Sequence, residues 1–337
     1  MRKLCMILPL ALIVCFMVGC SKTNTIRVAA IQMNCKVGEL DTNLANAEKF
    51  IRKAFEQNAE LVILPEFFTT PAVGFPFNLK IVEAVCPLNE KPMQLLKRLS
   101  QEYNGIVGGS FLAFHGEDIY NSFVLVFPDG TYFVHNKDFP TFSENCYYTG
   151  GTDDGVFETP IGNIGVALCW EFIRTGTAKR LLDRVDIVIG GSCWPALVNP
   201  EIEPESASIS MLKKTLSQFA CLVGVPVIHS NHVGEVRYYS EEDPTKSNVQ
   251  FYGGETQIVD GYGKIVERLS YQDGEAIIFA DVILGKVDTS TDPIPDRFWI
   301  PELDEESIKY FNESLTGSYR RYYEETTLPH YLKKATK

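Results

Sequence analysis

"GVALCWEFIR", residues 165–174, joins an apolar strand to a group of reactive and aromatic side chains. Its first four residues are small and apolar, which is typical of a strand that is covered on both faces of a sheet. The strand ends at Cys169, and Trp170, Glu171 and Arg174 follow at once. A lone cysteine is usually a small core residue, but at the end of a strand it can serve as a nucleophile. Other residues of the chain decide between these two interpretations.

Strands and helices alternate on both sides of this stretch, which predicts an α/β fold. The predicted strands are 26–33, 60–67, 105–114, 185–194 and 225–234, with hairpins at 119–137 and 256–269, and the predicted helices are 41–57, 93–103, 177–182 and 207–222. Apolar residues make up 45% of the 337 residues, enough for a large core. Residues 26–285 are therefore expected to form one layered α/β domain. In residues 286–337, the stretch "DTSTDPIPDRFWIPELDEE" lacks strand or helix rhythm, and "SIKYFNESLTGSYRRYYEE" is rich in aromatic side chains and predicted to be partly helical. We therefore expect an arm that packs on the body or on a second subunit.

Two other strands end in a titratable side chain, as the strand before Cys169 does. Glu66 follows "LVILP", and Lys137 follows "YFVHN". Ligands bind at the carboxyl ends of strands in open α/β sheets, so three such groups together indicate a site, although each alone would be weak evidence. Glu66 is suited to take the thiol proton and later to protonate a leaving amine. Lys137, with a backbone N–H such as that of Trp170, could stabilise an oxyanion.

These segments, taken in order, resemble the carbon–nitrogen hydrolase, or nitrilase, superfamily. The similar stretches are "VAAIQMN", "LVILPEFF", "GGSF", "YNSFVLVFPDG", "HNKDFPTFSE", "GVALCWEFIR", "HSNHVG" and "YGGETQIVDGYGKIV". The resemblance implies a four-layer αββα sandwich with a catalytic triad of Glu66, Lys137 and Cys169. It also implies a homodimer or a higher homo-oligomer, often with C-terminal arms that cross between subunits.

The implied reaction is hydrolysis of a non-peptide carbon–nitrogen bond in a small-molecule amide or nitrile. It would pass through a thioester or thioimidate on Cys169 and release ammonia or an amine, with no metal and no organic cofactor. An amide is favoured over a nitrile because the superfamily carries out more amide chemistry. Two alternatives stay open at this point: an acyltransferase that uses the same acyl-enzyme, and a surface binding module that has lost turnover.

Four further residues are candidates for substrate contacts or for support of the triad. The resemblance implies that Glu144 positions the substrate or the triad lysine, whereas a loop ion pair with Lys137 or Arg174 is the structural alternative. Trp170 and Trp194 could line a pocket or could belong to the core. Glu171, in "CWE", is grouped with them as a substrate-contacting or supporting side chain.

The N-terminus and the overall charge bear on location and partners. Residues 1–20 combine a basic start, an apolar stretch and "MVGC", which resembles a bacterial lipoprotein signal with Cys20 as the lipidated residue. The chain is therefore expected to be exported to the bacterial cell envelope and held at the membrane only by an N-terminal lipid. A formal net charge of -12 argues against a nucleic-acid partner, because phosphate binding needs clustered Lys and Arg.

Overall fold

The computed structural model of the protein describes residues 24–239, 247–289, 293–306, 308–309 and 317–336. The predicted signal peptide, residues 1–20, and the predicted lipidation site, Cys20, lie outside these residues. None of the helices in the described ranges combines the length and the apolar character needed to cross a bilayer.

Two β-sheets form the centre of the fold. The first sheet consists of β1 (Thr25–Gln32), β2 (Leu61–Ile63), β3 (Cys86–Pro87), β4 (Ile106–His115), β5 (Asp118–Val126), β6 (Tyr132–Asn136) and β15 (Ala276–Ile283), in the order β15-β1-β2-β4-β5-β6 with β3 beside β4. The second consists of β7 (Val156–Thr159), β8 (Gly162–Leu168), β9 (Ile187–Ser192), β10 (Val227–Asn231), β13 (Thr256–Val259) and β14 (Ile265–Leu269), in the order β14-β13-β10-β9-β8-β7. A separate two-stranded ribbon pairs β11 (Val233–Tyr239) with β12 (Ser247–Gly253).

Helices cover the outer face of each sheet. The helices are α1 (Leu40–Glu56), α2 (Leu79–Glu83), α3 (Lys91–Tyr103), α4 (Thr175–Leu181), α5 (Ala207–Val223), α6 (Ser318–Tyr322) and α7 (Leu328–Ala335). The apolar faces of α1 and α3 pack on the first sheet, and those of α4 and α5 pack on the second. Along β1, Ala29 and Ile31 face α1 and α3, while Val28 and Ala30 face the second sheet. This alternation, which follows from the twofold period of a strand, gives the predicted αββα sandwich.

The predicted strand and helix positions are confirmed, but long-range pairings were not foreseen. The strand predicted at 60–67 is shorter than expected, because regular pairing ends at Ile63 and the chain then turns to present Glu66. The sequence analysis did not identify β15, which returns from the end of the domain to pair antiparallel with all eight residues of β1. It also did not identify the β11–β12 ribbon.

The C-terminal segment packs on the body of its own chain. Phe298 and Ile300 form backbone hydrogen bonds with the stretch that follows Cys169: Thr175 N donates to Phe298 O at 3.1 Å, and Ile300 N donates to Ile173 O at 2.6 Å. Further on, α6 and α7 are joined by a π-helical turn, Tyr323–Thr327. The buried Tyr323 in this turn donates a hydrogen bond to Asp118 at 2.6 Å.

The two sheets are in direct contact where Glu66 leaves the first sheet. Ser230 of β10 links them, since its Oγ donates to Ile63 O at 2.8 Å and accepts from Ile31 N at 3.1 Å. Beside it, a Cβ on Gly191 of β9 would lie 2.8 Å from the backbone nitrogen of Glu66 and 3.0 Å from Leu64 O. Real Cβ atoms do not tolerate such contacts with backbone, so glycine at 191 permits the approach that places Glu66.

We expect the Gly191→Ala variant to separate the sheets at this point and to lower the free energy of unfolding by about 1–3 kcal/mol. Gly176→Ala is the matched control, because its Cβ would meet nothing within 4 Å. Since Gly176 lies in a helix, its replacement should be neutral or stabilise by up to about 1 kcal/mol. Urea unfolding measures the free energy of unfolding of both variants. Equal values for the two would show that the approach of the sheets does not require glycine at 191.

Candidate active site

Glu66, Lys137 and Glu144 form a buried ionic cluster at the edge where β2 and β6 end. Lys137 Nζ donates to Glu66 Oε1 at 2.9 Å and to Glu144 Oε2 at 2.8 Å. Asn121 Nδ2 donates to Glu66 Oε1 at 2.8 Å, and the backbone N–H of Cys193 donates to Glu66 Oε2 at 2.8 Å. The Glu66 carboxylate is therefore fixed by groups from both sheets, and all three charged side chains of the cluster are fully buried.

Glu144 carries one oxygen that is saturated with donors and one that has none. Its Oε2 accepts from Lys137, from the backbone N–H of Thr141 at 2.9 Å and from the hydroxyl of Tyr148. Its Oε1 is buried and makes no hydrogen bond with any described residue. A buried carboxylate oxygen without a donor is costly. It is therefore a place where an N–H or O–H of a bound molecule would be stabilised.

Cys169 lies directly after β8 in a left-handed backbone conformation, with φ +50°. Such a conformation is uncommon for a residue with a side chain, and it is often found where a fold must aim a reactive group. The thiol is almost fully buried. Burial, with Glu66 nearby, raises the pKa of Cys169 well above its usual value, and Lys137 opposes this rise only in part. The resting thiol is therefore protonated and needs a base.

The same surroundings shift the pKa values of Glu66 and Lys137. Burial raises the pKa of Glu66 to about 7, even though Lys137 acts to lower it. A carboxyl group with a pKa near neutrality can both accept and return a proton. Burial alone would lower the pKa of Lys137, but Glu144 and Glu66 outweigh it and raise that pKa well above its usual range. The ammonium group therefore stays charged beside the thiol.

Glu171 joins the segment that carries Cys169 to the segment that carries Lys137. Its Oε2 accepts from the backbone N–H of Leu168 at 2.7 Å, just before the cysteine. Its Oε1 accepts from the backbone N–H of Asp138 at 3.0 Å, just after the lysine. Glu171 is fully buried, and both of its carboxylate oxygens accept hydrogen bonds from protein groups. Its position thus fits support of the site, not contact with a substrate.

His135 lies behind Glu171 and is held between two carboxylates. Its Nε2 lies 3.1 Å from Glu171 Oε2, and its Nδ1 faces Asp153 Oδ1. Because both ring nitrogens face acceptors, the doubly protonated imidazolium is the form that satisfies both contacts. Burial would lower the pKa of His135, but Glu171 and Asp153 raise it to about 9. Arg180, 3.3 Å from Glu171 Oε1, completes this second ionic cluster.

The two tryptophans named in the sequence analysis belong to the apolar surroundings of Cys169. Trp170 is half-buried, and its ring centroid lies 4.8 Å from that of Phe142 and 5.1 Å from that of Trp299. Trp194 is buried, and its indole N–H donates to Ser208 Oγ at 2.9 Å. Trp170 is thus placed beside the thiol, whereas the polar edge of Trp194 is used for packing.

Sequence reasoning missed several residues around the site. Asn121 holds the Glu66 carboxylate, His135 supports Glu171, and Trp299 reaches the site from the C-terminal segment. A polar residue within an apolar strand was a usable signal for Asn121 and His135. Trp299 gave none, because it lies in a stretch without periodicity. Among the residues that the structure describes, no three His, Cys, Asp or Glu side chains gather as metal ligands would.

Comparisons with known proteins agree with this architecture. The model of the family described as carbon-nitrogen hydrolase matches residues 27–290. The chain is 25% identical over 279 residues to an N-carbamoylputrescine amidase of Solanum tuberosum, covering 79% of this chain and 89% of that protein. It is 26% identical over 299 residues to Nitrilase 3 of Arabidopsis thaliana, covering 80% and 82%. The crystal structure of a carbon–nitrogen hydrolase from Helicobacter pylori G27 superposes with a TM-score of 0.64 at 20% identity, over 77% of this chain and 90% of that chain, which shows a shared fold.

The buried imidazolium predicts a stability change at alkaline pH. A histidine in the unfolded chain has a pKa of ~6.5. Above that pH, the folded protein therefore keeps the second proton on His135, whereas the unfolded chain has lost it. The stabilisation is complete below pH ~6.5 and is lost as the pH rises through the folded value of about 9. The difference in free energy of unfolding between wild type and His135→Gln should therefore shrink by about 2 kcal/mol between pH ~7.5 and ~9.5.

His229→Gln is the matched control for this urea-unfolding series. His229 is also fully buried, but burial lowers its pKa to about 3, so it is neutral throughout this pH range. Its difference from wild type should stay constant between the two pH values. A constant difference for His135→Gln as well would contradict the imidazolium assignment.

Proposed function

The chain belongs to the carbon–nitrogen hydrolase family, and on this basis we propose that it hydrolyses a small-molecule amide through Glu66, Lys137 and Cys169. Cys169 is the nucleophile, Glu66 transfers protons, and Lys137 stabilises the negative charge that develops on the substrate oxygen. Support comes from the ionic cluster beside the thiol, with Lys137 2.9 Å from Glu66, and from a glutamate whose pKa near 7 suits both directions of proton transfer.

The observation that favours an amide over a nitrile is the unpartnered oxygen of Glu144. The NH₂ group of an amide has two hydrogens to donate, and one of them can satisfy the buried Oε1. A nitrile nitrogen is only an acceptor and would leave this oxygen without a partner. The relatives include both an N-carbamoylputrescine amidase and a nitrilase, so N-carbamoyl amines belong among the compounds to be tested.

The proposed reaction has two halves. In the first, Sγ of Cys169 bonds to the carbonyl carbon while the thiol proton passes to Glu66. The carbon–nitrogen bond then breaks, and Glu66 gives the proton to the leaving nitrogen, which departs as ammonia or amine and leaves a thioester. In the second half, water gives a proton to Glu66 and attacks the thioester carbon. The carbon–sulfur bond breaks, the acid departs, and the proton returns to the thiol.

Electrostatics explains why Lys137 is needed in both halves. Each half passes through a tetrahedral species with a negative oxygen, in a site that already holds the carboxylates of Glu66 and Glu144. The buried ammonium is cationic before the reaction starts, so its charge needs no reorganisation when the oxyanion forms. Backbone N–H groups of the turn after Cys169, such as that of Trp170, are close to the cysteine in sequence and could donate further hydrogen bonds to the oxyanion.

We also propose that the protein is exported, lipidated at Cys20 and homodimeric. The support for export and lipidation is the pattern of residues 1–20, and the support for a dimer is family membership alone. A lipid at Cys20 would hold the hydrolase domain at the membrane surface of the cell envelope.

The proposed function is tested by ammonia release from a panel of amides, N-carbamoyl amines and nitriles. We expect release from amides to fall at least ~1,000-fold in Cys169→Ala. It should fall by ~100- to 10,000-fold in Glu66→Gln, which keeps the shape of the side chain but removes the base. Cys86→Ala is the matched control, because Cys86 is a free thiol on the first sheet outside the ionic cluster. An unchanged rate in Cys169→Ala would refute the mechanism.

Three other outcomes separate the alternatives. Faster release when a primary amine is added, with formation of the new amide, would identify an acyltransferase. Release from nitriles but not from amides would refute the argument from Glu144. No release from any compound, with Cys169 unreactive toward iodoacetamide, would favour a binding module.

Lipidation predicts how the full chain divides between phases when it is expressed in bacteria. We expect the wild-type protein to enter the detergent phase of a Triton X-114 separation and to incorporate a labelled fatty acid, and Cys20→Ala to incorporate none whether or not its signal is cleaved. The matched control is Cys15→Ala, which lies within the segment that cleavage would remove. Identical behaviour of wild type and Cys20→Ala would contradict lipidation at this residue.

A further inference from the structure

A row of aromatic rings extends from the nucleophile to the surface of the protein. The row, here called the aromatic strip, consists of Phe142, Trp170, Trp299, Phe298 and Phe139. Ring centroids are 4.8 Å apart for Phe142 and Trp170, and 5.1 Å apart for Trp170 and Trp299. The row continues from Trp299 to Phe298 at 4.5 Å and from Phe298 to Phe139 at 6.5 Å. Its inner members are buried or half-buried, whereas Phe139 and Phe298 are 46% and 45% exposed.

The inner end of the strip adjoins Cys169. The cysteine belongs to a buried apolar cluster that includes Trp194 and Trp299, and Phe142 and Trp170 pack against that cluster. The thiol thus has two kinds of neighbour. Glu66, Lys137 and Glu144 act on it electrostatically, and aromatic rings belong to the apolar cluster in which it is buried.

The C-terminal segment holds the strip in place. Its backbone bonds to the stretch 173–175 fix Phe298 and Trp299 beside the turn that carries Cys169. Arg297 adds to this, because its Nε donates to the carbonyl of Trp299 at 2.7 Å. The edge of Trp299 then meets the ring of Trp170 at 90°, which is a favourable aromatic geometry. The orientation of Trp170 therefore depends on a residue about 130 positions away in sequence.

The charged side chain next to the aromatic strip, Arg174, is already paired with a carboxylate. Arg174, which is 2% exposed, lies 4.7 Å from the ring centroid of Phe139 and 5.5 Å from that of Phe298. Its guanidinium group is paired with the carboxylate of Asp138. Because Arg174 and Asp138 pair with each other, neither offers an unpaired opposite charge to a charged substrate group, which would lose its water at a cost.

We infer that the aromatic strip binds the acyl substituent of the substrate, and that the protein acts on uncharged amides with an aromatic or bulky apolar acyl group. This inference rests on the proposed function. In that reaction, the amide nitrogen and carbonyl oxygen face Glu66, Lys137 and Glu144. The substituent on the carbonyl carbon then points away from these two atoms, and the half-buried rings of Trp170 and Phe142 are the apolar neighbours of the thiol that can receive it. Apolar walls with a few polar groups at one end are typical of small-molecule sites.

The test compares kcat/KM for three primary amides: phenylacetamide, acetamide and the cationic 4-aminobutanamide. We expect wild type to prefer phenylacetamide over each of the others by at least ~10-fold. In Trp170→Ala, the value for phenylacetamide should fall at least ~10-fold more than that for acetamide, and mainly through KM. Trp170→Phe should restore most of the loss.

Two further variants separate recognition from general damage. Trp299→Leu removes the ring that orients Trp170, so it should lower kcat/KM for phenylacetamide more than for acetamide. The matched control is Tyr103→Leu, which removes a ring stacked on Phe55 in the outer helical layer. It should change the two amides by the same factor.

The outcomes distinguish this inference from the proposed function. Turnover of acetamide or 4-aminobutanamide at least as fast as that of phenylacetamide would overturn the inference and leave amide hydrolysis intact. An equal fall for all amides in Trp170→Ala would also overturn it, because the ring would then be structural. Absence of thiol-dependent release from every amide, carbamoyl compound and nitrile would refute the proposed function itself.

Discussion

The buried ammonium group of Lys137 is the constraint on which the rest of the site depends. It lies within 2.9 Å of one carboxylate and 2.8 Å of another, and none of the three groups reaches water. Removing the cation would leave two buried carboxylates facing each other, which is among the most costly arrangements in a protein. The fold meets this constraint by bringing Glu66 and Lys137 from the ends of two strands, with Glu144 on the loop that follows. The same cation then offsets the charge that a reaction on Cys169 would create.

The second requirement is that Cys169 keeps an unfavourable backbone conformation. Cys169 has a φ of +50°, and the residues on either side are tied down: Leu168 by Glu171, and the stretch 173–175 by the C-terminal segment. Glu171 in turn contacts the segment that bears Lys137 and is held by the charged ring of His135. The segments that carry Lys137 and Cys169 are therefore joined through the buried carboxylate of Glu171. The second ionic cluster, in which His135 and Arg180 contact Glu171, holds this junction in place.

Much of this arrangement could be predicted from the sequence, and the remainder has a physical reason for being hidden. Glu66, Lys137 and Cys169 each follow a run of apolar residues, so their place at strand ends could be inferred from local pattern, and family resemblance added Glu144. The pairing of β15 with β1 could not be predicted in this way, because nothing in the sequence near Thr25 or Ile283 shows that these two distant residues are partners. His135 looks like any polar residue in a strand until Asp153 and Glu171 are placed on either side of it. Trp299 lies in a segment without periodicity, and only the folded chain brings it to Trp170.

The central claim is that Cys169 carries the acyl group during turnover. The most direct measurement is rapid acid quenching of the enzyme during turnover of its fastest amide, followed by intact-protein and peptide mass spectrometry. The account predicts an added mass equal to the acyl group, located on the peptide that contains Cys169 and discharged by hydroxylamine. An enzyme that turns over its amide in the pre-steady state without any adduct, or with an adduct on another residue, would contradict it.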